Sequence, residues 1–355
     1  MIQESKKTRT TLVLNAGSST LKFAVYDGEL TRRIRGTVDW AGADGQATLE
    51  VHIDDAVETR SLNVKGHGDA ASAVIDLLAE HPDLRDGLVA VGHRVVHGGE
   101  DFHAPTPIDT TVRQRIDALS HLAPLHNPPA LAAIDAARAA IDLPNVAVFD
   151  TAFFAPLEPA AYMYALPWEW YEQYGVRRYG FHGTSHANAV ERCHEILDAR
   201  QLRVVCCHLG SGCSAAAAIG NKAVATTMGF TPLEGLMMGT RPGSIDPGIL
   251  LHVARVGQMD TDAIDQALNR GSGLLGVSGV SSDYRQVCAA AAEGHERAQL
   301  ALDLYESRII RVVGALTAEL GGLDALLFTA GVGEHAHALR TRLCERLSFL
   351  GIELD

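Results

Sequence analysis

The stretch TLVLNAGSSTLKFAVYDGEL, from Thr11, sets apolar half-strands on either side of four small residues, Ala16 to Ser19. The pattern predicts a strand, a Gly-Ser loop, a second strand and a hairpin turn at Asp27-Gly28. RVVCCHLGSGCSAAAAIGNKAV, from Arg203, predicts the same series. Superposing Gly17-Ser18 on Gly210-Ser211 lands Asp27-Gly28 on Gly220-Asn221. One such hairpin is commonplace, but a matched pair at equal spacing points to a duplicated domain.

Between the repeats, helical and extended patterns alternate. NPPALAAIDAARAAI starts with Asn127 as N-cap and Pro128 in the first turn, and Leu131, Ile134, Ala137 and Ile141 keep helical spacing. NVAVFD is a short buried-type strand ending on Asp150. TSHANAVERCHEIL opens a helix capped by Thr184 or Ser185, with Val190, Cys193 and Ile196 or Leu197 on one face. A long helix from about His295 to Leu320 precedes a Gly-Gly turn, the strand DALLFTA and a glycine loop, GVGE. This alternation indicates an α/β architecture. The simplest division is a domain of residues 1–150 and another of 151–355, with no low-complexity linker between them and therefore a shared hinge and cleft.

Composition narrows the function. The 355 residues carry 30 Lys+Arg against 43 Asp+Glu, a net charge of −13, which argues against nucleic acid as a partner. No apolar run approaches the roughly 18 residues of a membrane span, and MIQESKKTRT lacks the apolar segment of a signal peptide. The six cysteines show no CxxC spacing, and adjacent Cys206 and Cys207 should face opposite sides of a strand. These features give the expectation of a cytoplasmic protein with reduced thiols.

Candidate chemistry lies in the glycine-rich segments. GxxxxGK[ST] and GxSxG are absent. A formal GxGxxG at Gly271, Gly273 and Gly276 follows what reads as a helix end, so it is a decoy rather than a dinucleotide motif. AGSST, HLGSGCS and TAGVGE remain, and backbone N–H groups with small hydroxyls at strand ends suit phosphate oxygens. Arg94 in GHRVVHGG and Arg241 in MGTRPGS stand among glycines, where a planar guanidinium can grip carboxylate or phosphate in two places. Of 16 histidines, His126, His182, His186 and His208 have comparable settings, and His182, just ahead of a helix start, has the best location.

LNAGSSTLKF, VGHRVVHGGEDF, PLHNPP, VFDTAFF, RYGFHGTSH, TTMGFTPLEGLMMGTR and SGVSSDYR, in this order, closely resemble the acetate kinase family from about Thr11 to Asp355. The resemblance implies duplicated actin-like (ribonuclease H-like) domains with an interdomain nucleotide cleft, the C-terminal one also dimerising. It implies reversible transfer of the ATP γ-phosphoryl group to acetate, giving acetyl phosphate and ADP, with Mg2+ and a homodimeric enzyme. By resemblance Asn15 helps hold the metal, Lys22 contacts ATP, and Arg94 binds the substrate carboxylate or acyl phosphate. His182 and Arg241 become transition-state stabilisers and Asp150 the acidic active-site residue, orienting an arginine or a metal-bound water, since acetate is already ionised. His208, Leu209, Gly210, Ser211 and Gly212 match a nucleotide-binding segment. Asp283, Tyr284 and Arg285 match another, and Gly331, Val332, Gly333, Glu334 and His335 a third. Val96, Leu125, Phe181 and Pro232 match the small apolar pocket for the acetate methyl.

Several positions depart from the family pattern. Ser211 stands where HLGNG is usual, Ser244 where GTRSGDIDP has an acidic residue, and GEH where GEN is usual. The chain stops at GIELD, where family members continue with a segment whose TNEE glutamate binds magnesium. The expectation is therefore ATP binding with weak kinase activity and a raised need for free magnesium. The alternatives are a propionate or other short-chain acyl kinase and a truncated nucleotide-binding protein of little activity.

Overall fold

Strict alternation along β1, Thr10–Ala16, puts Leu12 and Leu14 inward and leaves Thr11 and Val13 half-buried. That period is what a strand covered on one side requires. The computed structural model describes residues 9–41, 46–54 and 56–354. The chain divides into two compact units, Met1–Ala152 and Phe153–Asp355.

In the first unit, β1 pairs antiparallel with β2 (Thr20–Asp27), which continues through β3 (Arg32–Asp39) and β4 (Ala47–Ile53) to β5 (Ala56–Leu62). On its other side β1 runs parallel to β6 (Leu88–Val95). β6 runs parallel to β8 (Asn145–Phe149), and β7 (Thr106–Pro107) closes the sheet. The strand order is β5-β4-β3-β2-β1-β6-β8-β7. Leu12, Leu14, Leu21, Phe23 and Val25 form a core with Val74, Leu77 and Leu78 of the helix His67–Ala79. β5 is mostly exposed, and there Arg60 pairs with Glu58 and with Glu80.

The second unit repeats this wiring. β9 (Arg203–Leu209) pairs antiparallel with β10 (Cys213–Ile219), β10 with β11 (Lys222–Thr226), and β9 runs parallel to β12 (Ala325–Thr329). The order β11-β10-β9-β12 thus reproduces β3-β2-β1-β6. The two hairpins expected from spacing are both present, and the architecture is the expected duplicated α/β one. β10 is nearly all small residues, so the helix Glu296–Leu320 packs closely across it. Cys206 packs with Val190 and Cys193, whereas Cys207 has Cys213 and Cys344 as neighbours, so the adjacent thiols do face opposite sides. Among the described residues no helix is long and apolar enough to cross a membrane.

Three local expectations need correction. The helix Asn127–Ala140 is capped by His126, because Asn127 turns inward and pairs with both backbone groups of His97. The helix Gly183–Ile196 starts at His182, ahead of Thr184 and Ser185. The segment GVGE is not a loop but lies in a short helix, Ala330–His335, that begins directly after β12.

His93, His97 and His186 are enclosed to 2% exposure or less. Burial holds His93 near pKa 4 despite its bond to Asn145, and burial with His121 holds His97 near 4. Burial and nearby His208 hold His186 at about 3. Each imidazole stays neutral in the fold but takes up a proton in the unfolded chain below about pH 6.5. The unfolded state then binds more protons, so stability falls as pH drops from 6.5 toward these values. The expected slope is about 1.4 kcal/mol per pH unit for each histidine. Urea unfolding at pH 7 and pH 5 measures it, and an unchanged midpoint would show that these burials cost nothing on acidification.

Candidate active site

In the first unit, the register aligns Lys22 on β2, Asn15 on β1 and Arg94 on β6 in one row at the strand ends. β8 ends beside them, and the Asp150 backbone N–H donates to Val95 O. Arg94 Nε donates to both Asp150 carboxylate oxygens at 3.0 and 3.1 Å, Nη2 reinforces the pair, and Nη1 donates to Asn15 Oδ1 at 3.0 Å. The Asp150 side chain is 1% exposed and that of Arg94 32%. Burial opposes the charge on Arg94, but Asp150 outweighs it and raises the guanidinium pKa. One half-exposed cation is thus fixed in orientation by a buried carboxylate and an amide. Lys22 is exposed, Val96 is buried, and Leu125 is 57% exposed.

In the second unit, the Gly-Ser loop joins β9 to β10, and Gly239 N–H donates to Ser211 O at 3.0 Å. That bond ties the loop to the turn carrying Arg241. A Cβ on Gly212 would lie 2.6 Å from Arg241 Nη2 and 3.3 Å from His182 Cε1, so both side chains close on a position only glycine leaves open. His182 sits at the helix start with φ 61°, a left-handed conformation uncommon outside glycine. Its ring stacks on His208 at 4.2 Å, and its Nδ1 is 2.9 Å from Ser214 Oγ. Arg241 Nη1 donates to Pro232 O at 2.6 Å, and among the described residues no carboxylate pairs with Arg241. Burial lowers its pKa, with only Cys213 opposing. A desolvated guanidinium whose hydrogen bond goes to a carbonyl keeps its charge uncompensated by any carboxylate among the described residues.

The same unit holds a cavity of 1390 Å³ beside this group. Gly210, Ser211, Asp283, Tyr284, Arg285, Gly331, Val332 and His335 line it, bringing together members of all three glycine-rich or turn segments singled out in the sequence. Asp283 caps the helix Tyr284–Ala292 and pairs with Arg285, whose hydrogen bonds lower its pKa. Leu209 and Gly333 are buried beneath the segments they belong to, and Phe181 is buried ahead of His182. Glu334 turns back to its own helix start, accepting from Ala330 N–H at 3.1 Å.

Sequence reasoning missed Ser214 and the buffer of polar groups behind Pro232. Tyr164 and Arg178 both reach Glu234, and Phe230 N–H donates to Tyr164 Oη, fixing the loop on which Pro232 sits. The signal for Ser214 was its place as the one polar residue in CSAAAAI.

A model described as the acetokinase family matches residues 10–355. The chain belongs to the acetokinase family. An acetate kinase of Gloeobacter violaceus is 47% identical, over 97% of this chain and 89% of its own length. One from Halothermothrix orenii is 44% identical, over 97% and 88%. Among solved structures, an acetate kinase of Porphyromonas gingivalis superposes with a TM-score of 0.88 at 38% identity, covering 97% of this chain and 88% of its own. A propionate kinase of Francisella tularensis gives 0.91 at 36% identity, covering 96% and 88%.

Proposed function

We propose that this chain catalyses reversible transfer of the ATP γ-phosphoryl group to acetate, forming acetyl phosphate and ADP. The observation that carries this reading is Arg241: a partly buried guanidinium with no carboxylate partner among the described residues, beside His182 and against Gly212. A transferring phosphoryl group spreads negative charge over its equatorial oxygens, and a preorganised guanidinium and imidazole meet that charge without reorganising. An acetate oxygen attacks the γ-phosphorus as the bond to the β-phosphate oxygen breaks, and ADP leaves with that electron pair. Acetate is ionised at neutral pH, so no side chain has to remove a proton. Arg94, oriented by Asp150, binds the carboxylate, and the cavity lined by Asp283, Arg285 and Gly331 takes the nucleotide.

Among the described residues no group of three or more His, Cys, Asp or Glu side chains is arranged to hold a metal. Mg2+ keeps several waters and phosphate oxygens and takes few protein ligands. The Asn15 amide oxygen, beside the Asp150 carboxylate through Arg94, fits as such a ligand. When bound with the nucleotide, the ion supplies charge neutralisation on the phosphates. The test is direct measurement of acetyl phosphate from ATP, acetate and Mg2+; no product at saturating substrates defeats the reading.

The propionate kinase relative makes chain length the natural second question. Val96 in the first unit and Phe181 in the second are both buried, and Pro232 is held by Arg241; we read these residues as limiting acyl chain length. Acetate is expected to exceed propionate and butyrate in kcat/KM, about 10- to 200-fold per added methylene and mainly through KM. If butyrate gives the highest kcat/KM, the pocket assignment is wrong.

A further inference from the structure

We propose that Ser214 and His186 are positioning residues that fix His182 as the neutral tautomer protonated on Nε2, so that it offers the transferring phosphoryl group a donor rather than a lone pair. The inference rests on the function proposed above and extends it to two residues that were given no part in the transfer.

Ser214 is fully buried, and its Oγ lies 2.9 Å from His182 Nδ1 and 2.8 Å from His186 Nε2. A serine hydroxyl has one proton and two acceptor sites, and among the described residues these two nitrogens are the only partners of Ser214 Oγ, so its proton is satisfied only by going to one of them while it accepts from the other. His186 decides the direction. Its Nδ1 is buried with no hydrogen-bond partner among the described residues, and an orphaned N–H is the rarer and costlier arrangement. The His186 proton therefore sits on Nε2 and is donated to Ser214 Oγ. Ser214 then donates its own proton to His182 Nδ1, which leaves Nε2 as the protonated nitrogen of His182.

That nitrogen, with Cε1 of the same ring, faces Gly212. It lies 3.4 Å from the position a Cβ on Gly212 would take, where Arg241 Nη2 also arrives. Charging His182 would require Nδ1 to donate to Ser214, reversing the series and driving a proton onto the unpartnered Nδ1 of His186. The other groups facing the ring oppose a second charge as well: Arg241 from the turn beside the Gly-Ser loop, and His208 from β9, stacked at 4.2 Å and itself 2.8 Å from Ser185 Oγ. Burial, with His208 nearby, lowers the His186 pKa to about 3, so the His186 ring is neutral where it faces Ser214. The left-handed backbone of His182 fixes where the ring starts, and Ser214 fixes which nitrogen carries the proton.

The experiment is nitrogen NMR of the full chain with 15N-labelled histidine, assigned by loss of a signal in His182→Ala, together with kinetics of Ser214→Ala. The wild-type His182 ring is expected to be neutral and protonated on Nε2. Ser214→Ala, which removes one hydroxyl from a strand of alanines, is expected to give mixed tautomers. Its kcat should fall about 10- to 100-fold with little change in KM for acetate or ATP, the signature of a lost transition-state donor. His186→Gln, whose amide N–H can still donate to Ser214, should retain the wild-type tautomer and most of kcat. A His182 ring protonated on Nδ1 in the wild type, or an unchanged tautomer and kcat in Ser214→Ala, overturns the inference. A wild type that makes no acetyl phosphate yet shows the Nε2-protonated ring overturns the proposed function and leaves the tautomer assignment standing.

Discussion

Arg241→Ala is expected to lower kcat for acetyl phosphate formation by about 100- to 1000-fold, the range for removing one preorganised electrostatic donor. The cost should fall on catalysis and spare the fold. Arg241 is desolvated, its hydrogen bond goes to the Pro232 carbonyl, and removing it strands no carboxylate. Arg94→Ala should behave differently. Asp150 would stay buried at 1% exposure without its guanidinium, which typically costs about 3–5 kcal/mol. Both variants lose activity, but Arg94→Ala should also lose Tm, whereas Arg241→Ala should keep it. Lysine at 241 should rescue poorly, since a point charge cannot hold the Pro232 carbonyl and an anion in one planar fork. Steady-state kinetics with thermal melts of the three proteins check this. Near-normal turnover in Arg241→Ala would remove it from the site.

Gly273→Ala is expected to be the most damaging single methyl group in the second unit. Gly273 has φ +63°, and a Cβ there would sit 2.1 Å from Met238 O and 2.8 Å from Arg241 O. Both obstacles are backbone, so no side chain can swing away. The loss should be about 3 kcal/mol or more, from left-handed strain and overpacking together. Because the collision is with the turn that carries Arg241, any folded protein should also be slow. Gly271→Ala is the control: its Cβ would meet Ala267 O at 3.3 Å at the end of a helix. Melting curves of the two variants give the comparison. Equal Tm values would contradict the packing explanation of this glycine series.

These two residues also mark how far the sequence alone reaches. GxGxxG at Gly271, Gly273 and Gly276 reads as a decoy because it follows a helix end, and the helix Thr261–Arg270 does end there. What the letters did not disclose is that Gly273 supports the Arg241 turn, since that contact joins residues distant along the chain. Duplication was legible for the opposite reason. A hairpin is a local object, and its period, loop and turn recur intact at Gly17 and Gly210. The row of Lys22, Asn15 and Arg94 depends on the β1–β6 register, which no local pattern specifies. Asn127 had the composition of an N-cap but was drawn inward by the backbone of His97, a tertiary bond outweighing a local preference. Ser214 looked like one more small residue of β10 until His182 and His186 were found on either side of its hydroxyl.

Among the described residues, the first unit's sheet ends on one side at a charged strand. Beyond the four-strand pattern common to both units, the first unit carries β4 and β5, and β5 ends the row on one side. A bare strand edge is a template on which another chain can continue the sheet. Here the outermost strand reads AVETRSL, with Glu58 and Arg60 two residues apart on one face and Arg60 paired with both Glu58 and Glu80. As surface ion pairs these add little to folding stability. A strand added along this edge would lie beside Glu58, Arg60 and Glu80 and give up part of their hydration, a charged edge being one means by which sheets resist continuation.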